Sequence, residues 1–150
     1  MTIDEIIRTL NTFIPFPDDD PVNDTVKFLY ELRDTWKQLP EKNKAIVPIF
    51  RLMEKYPHAD FGSPGPLVHA LESPGTGYED QLQHSLLRKP TPLTLWMYNR
   101  VMNAEKNRAI LKAHLVRLKL FAKHPFTDET TRMAGTSFVE YQENRLNGRD

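Results

Sequence analysis

The stretch "RKPTPLTLWMYNRVMN", Arg88 to Asn103, decides the fold. Pro90 stops whatever helix precedes it, because proline and the residue before it do not fit a helix interior. Thr91 is an N-cap candidate, and Pro92 suits the first helical position, where its missing N–H does no harm. Leu93, Trp96, Met97 and Val101 then make one apolar face, and Leu95, Tyr98 and Met102 another. A helix apolar on this many sides belongs at the centre of a helical domain. Its polar residues Asn99, Arg100 and Asn103 therefore need partners, since a buried polar group left unpaired costs about 1–3 kcal/mol.

Working outward, the helical period continues in both directions. Ile3, Ile6, Ile7 and Leu10 fall at i, i+3, i+4 and i+7, the spacing of a short opening helix. "IPFPDDDP" breaks it. Val22, Val26, Leu29, Leu32, Trp36 and Leu39 form the stripe of a second helix, which Pro40 ends. A third helix is expected over about residues 41–56, with Pro48 kinking it from inside. Loops rich in Pro and Gly flank a short helix near residues 66–73, and Tyr78, Leu82, Leu86 and Leu87 carry the next one. After the central helix, residues 107–124 form a seventh, and Thr127 is expected to cap an eighth with Asp128 and Glu129 in its first turn. No sustained apolar–polar alternation competes. The expected fold is all-α: one domain over residues 1–150, with about eight helices in antiparallel pairs, a right-handed HEAT-like stack being compatible.

Composition narrows the class. The 150 residues are 27% charged and 39% hydrophobic, which is not the make-up of a disordered chain. No apolar run approaches the roughly 20 residues of a membrane helix. "MTIDEIIRTL" lacks the basic start and apolar run of a secretory signal. Cysteine is absent, which removes disulfides, thiol nucleophiles and cysteine metal sites. A soluble, cytoplasmic protein is the expectation. Net charge is zero, yet residues 1–75 hold 8 basic and 12 acidic residues and residues 76–150 hold 12 basic and 8 acidic, a front of −4 and a back of +4.

Residues with chemical potential form no reactive set. The five histidines give no pair at the i, i+4 spacing of a helical zinc site; His69 with Glu72 and Asp80 with His84 are ordinary helix neighbours. The serines have no recognisable base, and "GSPGP" at Gly62–Pro66 has prolines where a phosphate loop needs donor amides. Neither catalysis, a metal nor another cofactor is expected. Two charged surfaces remain. Lys106, Arg108, Lys112, Arg117, Lys119 and Lys123 run without an intervening acid, and Arg108, Lys112, Lys119 and Lys123 share a helical face that could meet phosphates. Asp18, Asp19, Asp20 and Asp24, extended by Glu31 and Asp34, could cap a helix or form a docking patch for a basic protein.

The middle of the chain carries a resemblance. "FGSPGPLVHALE", Phe61 to Glu72, and "YEDQLQHSLLRKPTPLTLWMYNRVMN", Tyr78 to Asn103, resemble small helical immunity proteins encoded at bacterial polymorphic-toxin and contact-dependent inhibition loci. The matched pattern is Gly-x-Pro-Gly-Pro-Leu-Val-His, then a tyrosine-led helix, then Pro-Thr-x-x-Thr-x-Trp-Met-x-Asn-Arg. The resemblance implies a compact HEAT-like domain that neutralises a cognate toxin domain, a nuclease among the candidates, by binding alone. It also implies a scaffold role for the matched residues: Asn99, Arg100 and Asn103 would bond loop carbonyls near the Gly62–Pro66 turn, with His69 as one partner. A rival arrangement has Arg100, His69 and Glu72 lining a pocket. The alternative function is a nucleic-acid-binding helical module using the Arg108–Lys123 face.

Overall fold

The computed structural model describes residues 1–148. Among them are eight α-helices and no strand: α1 Ile3–Thr12, α2 Thr25–Trp36, α3 Ile46–Lys55, α4 Gly65–Leu71, α5 Tyr78–Arg88, α6 Pro92–Ala104, α7 Arg108–Ala122 and α8 Glu129–Leu146. Their contacts gather into two compact units, Met1–Gln81 and the chain from Leu82 onward, with the boundary inside α5.

In the first unit α1 packs against α3, and α2 against α4. Thr2 and Glu5 close a capping box at the start of α1, satisfying two otherwise orphan amides. Ile6, Leu29, Trp36, Ile49, Phe50, Met53, Val68 and Leu71 supply the core. The Trp36 indole N–H donates to the Lys42 carbonyl at 2.7 Å, tying the end of α2 to the 3₁₀ turn Lys42–Ala45. That turn changes the reading of Pro48. The chain enters α3 only at Ile46, so Pro48 lies in the first turn, where no intrahelical donor is missed, and no interior kink arises. The second helix likewise starts at Thr25 rather than at Val22, which is exposed.

In the second unit α8 packs against both α6 and α7. Thr91 caps α6 through a capping box with Thr94, and Pro92 takes the first position, as the sequence predicts. Leu95, Met97, Tyr98 and Met102 are fully buried, as are Leu82, Leu86 and Leu118. The cap of α8 is Asp128, whose carboxylate accepts from the Thr131 amide at 2.8 Å. Thr127 instead donates its hydroxyl to the His124 carbonyl, one residue too early to cap. The helix α8 buries Thr131, Gly135 and Gln142 rather than an aliphatic stripe. Gly135 lets it approach α7: a Cβ there would sit 2.7 Å from the Ala122 Cβ.

Candidate functional site: a rigid acidic loop and a buried amide cluster

The acidic loop between α1 and α2 is held at its base by aromatic rings. Phe13, the C-cap of α1, stacks on Phe28 of α2 at 5.0 Å, and Phe16 meets both rings edge-on. The Phe16 amide donates to Thr25 Oγ1 at 2.9 Å. Such ring pairs contribute about 0.5–1.5 kcal/mol each beyond their burial. Within the loop the Asp20 amide donates to the Pro17 carbonyl, and Asp20 Oδ1 accepts from the Asn23 and Val22 amides, both at 2.9 Å. Those two backbone donors, Asn23 first, hold the Asp20 carboxyl below the ordinary aspartate range. Asp24 Oδ1 accepts from the Lys27 amide at 3.0 Å and caps α2.

The six acids expected to bind a partner therefore divide. Asp20 and Asp24 are structural, fixing a turn and a helix start. Asp34 lies 3.5 Å from both Arg33 and Lys37 and is partly neutralised. Asp18, Asp19 and Glu31 are exposed, and their carboxylates make no hydrogen bond or ion pair among the described residues. Asp18, Asp20 and Asp24 share an open groove of about 300 Å³ with Phe16, Pro17 and Asp60. Asp19, Glu31 and Asp34 lie outside that lining. Asp60 escapes a reading by sequence runs because it stands alone; its Oδ1 accepts from the Gly62 amide at 2.9 Å.

Asn99 and Asn103 of α6 find partners in α8. Gln142 Nε2 donates to Asn99 Oδ1 at 2.7 Å and to Asn103 Oδ1 at 2.9 Å. Gln142 Oε1 accepts from Arg145 Nη1 at 2.7 Å, and Arg145 also reaches the Met102 carbonyl and Asn103. This network satisfies a fully buried glutamine and ties the two helices together. Arg100 is exposed, its guanidinium 4.9 Å above the Trp96 ring. His69 Nδ1 pairs with the Tyr30 hydroxyl at 2.9 Å. Asn99 and Asn103 are tied to α8, which no short-range sequence signal connects to them.

The basic face of α7 is partly engaged as well. Arg108 Nη2 donates to the Leu146 carbonyl at the end of α8, and Lys119 pairs with Glu143 at 3.3 Å. Tyr98, buried in the core, bonds His114 Nδ1 at 2.7 Å; burial raises the phenol's pKa, and the neighbouring Arg117 opposes that shift.

No known protein family, curated protein or solved structure matches the chain. Among the described residues no group of three or more His, Asp or Glu could hold a metal ion, and no helix is long and apolar enough to cross a membrane. The division into units sharpens the charge pattern. Residues 1–81 hold 8 basic and 14 acidic residues, a balance of −6, and residues 82–150 hold 12 basic and 6 acidic, a balance of +6.

Proposed function

We propose that this protein is a non-catalytic inhibitor of the immunity type, which neutralises a toxin domain in the cytoplasm by occupying its surface. The observation that carries the reading is the anchored acidic loop. Asp18 and Asp19 project from a turn whose backbone is fixed by Asp20, Asp24 and three phenylalanines, so little ordering is needed when a cationic partner arrives. Exposed carboxylates on a unit of charge −6 also speed encounter with a basic surface such as a nuclease cleft. The resemblance of residues 61–72 and 78–103 to immunity proteins supports the same reading and implies HEAT-like pairing of the helices.

The test is to look beside this chain's gene for a large secreted protein and to co-express the chain with the C-terminal domain of any such neighbour; no such neighbour, or no complex with its C-terminal domain, would overturn the reading. A one-to-one complex should form, and D18K/D19K should weaken it by about tenfold or more, with association falling as salt rises. The second reading, nucleic-acid binding, rests on Lys112 and Lys123, which bear no ion pair among the described residues. Micromolar retention on DNA or RNA at physiological salt, lost in K112E/K123E, would favour it and displace the inhibitor reading.

A further inference from the structure

The helix α7 carries two apolar stripes, and only one of them is used. Leu111, Leu115, Leu118 and Phe121 point into the second unit. Ala109, Ala113, Val116 and Leu120 follow the spacing i, i+4, i+7, i+11 on another side and are exposed, Val116 at 61% and Leu120 at 66%. Spacings of four and three place such residues on one continuous seam. Lys112 and Lys123 border the seam on one flank and Arg117 on the other, and α7 contains no acidic residue.

We propose that this outer face of α7 is a docking site for an acidic amphipathic helix of another protein. The seam is narrow and begins with two alanines, which lets a second helix approach closely. The flanking cations occupy the places where a packed helix would present glutamates. Three other occupants fit less well. A lipid surface is normally gripped by Trp, Phe and Leu, whereas this stripe holds two alanines, a valine and one leucine. A second copy laid α7 against α7 would set lysines against lysines. Nucleic acid would leave Val116 and Leu120 facing phosphates. The site belongs to the other unit and takes a partner of opposite sign, so it stands or falls independently of the inhibitor reading.

The experiment uses the full chain with two synthetic three-heptad helical peptides, both with leucine at the a and d positions, one with glutamate and one with lysine at e and g. Binding is followed by fluorescence anisotropy and amide NMR shifts. The acidic peptide should bind saturably, more weakly as salt rises, with shifts centred on residues 108–123, while the lysine peptide should not bind. V116E/L120E and, separately, K112E/K123E should each weaken binding by about tenfold or more, with the circular dichroism unchanged because all four side chains are exposed. No binding of the acidic peptide, equal binding of both peptides, or shifts centred elsewhere would overturn the proposal. So would phosphatidylserine vesicles or single-stranded DNA binding through Val116 and Leu120 in the peptide's place, or concentration-dependent self-association lost in V116E/L120E.

Discussion

Replacing Gln142 by leucine tests whether the amide network or apolar packing holds α8 in place. The substitution keeps side-chain size and removes both donors that reach α6. Asn99 is 9% exposed, so its Oδ1 loses its partner with little access to water, a penalty of about 1–3 kcal/mol. Asn103 is exposed and regains water, so its lost 2.9 Å bond contributes little. Leucine returns part of the loss through apolar burial, leaving a net destabilisation of about 2 kcal/mol. For a chain of this size that corresponds to a fall of roughly 4–8 °C in Tm. Hydrogen exchange is the more direct assay, because two units need not unfold together and α6 and α8 amides report on the second alone. The decisive control is N99L/Q142L. Exchanging both members for apolar groups removes the stranded oxygen, so the double variant should recover about 1 kcal/mol or more relative to the sum of the singles. Single variants costing under about 0.5 kcal/mol, or a strictly additive pair, would show that the network is incidental.

Gly135→Ala gains up to about 1 kcal/mol of helix propensity, yet its methyl would lie 2.7 Å from the Ala122 Cβ and 3.2 Å from the Ala122 Cα. Overpacking of about 1–3 kcal/mol should win, lowering the urea midpoint, and Ala122→Gly in the same chain should restore part of it. Alkaline pH should weaken the second unit through Tyr98. Its folded pKa is raised by burial, so the stabilisation is intact below the unfolded value of about 10 and is lost as pH rises through that value towards the folded one. Urea midpoints of Tyr98→Phe should therefore vary less above pH 10 than those of the wild type. At neutral pH that variant should be less stable by about 1 kcal/mol for the lost bond to His114.

Much of the fold was legible because its signals are local. Thr91 and Pro92 announce α6 by capping chemistry, and the all-α class follows from a period that never changes. Local rules fail where two of them compete or where contact is distant. Pro48 reads as a helix breaker until a 3₁₀ turn shifts the helix start to Ile46. Thr127 and Asp128 are both good caps, and the choice falls to the residue whose carboxylate reaches the Thr131 amide. The face of α8 could not be read from hydrophobicity at all, since Thr131, Gly135 and Gln142 are small or polar. Gln142 lies 43 residues from Asn99, so periodicity flags Asn99 as a buried polar group without naming its partner. The acidic candidates were visible as a cluster, but only coordinates separate Asp20 and Asp24, consumed by backbone amides, from Asp18 and Asp19, which are not.

The same separation applies to charge. The imbalance grows from 4 to 6 when the boundary moves from the chain's midpoint to Gln81, because Glu79 and Asp80 join the acidic side. Those two acids occupy the first turn of α5 and Arg88 its last, the placement that the helix dipole favours, so this part of the asymmetry is explained without any partner. Arg108, Lys119, Asp20, Asp24 and Asp34 are likewise occupied within their own units. Of the six acidic candidates and the four-residue face of Arg108, Lys112, Lys119 and Lys123, this leaves Asp18, Asp19 and Glu31 on one unit and Lys112 and Lys123, beside an exposed apolar seam, on the other. Surface ion pairs are worth little inside a chain, so evolution gains no stability by leaving these charges unmatched. Under the two proposals these charges serve recognition, and opposite signs on separate units call for two different partner surfaces, each of which charge reversal at one unit should disturb without touching the other.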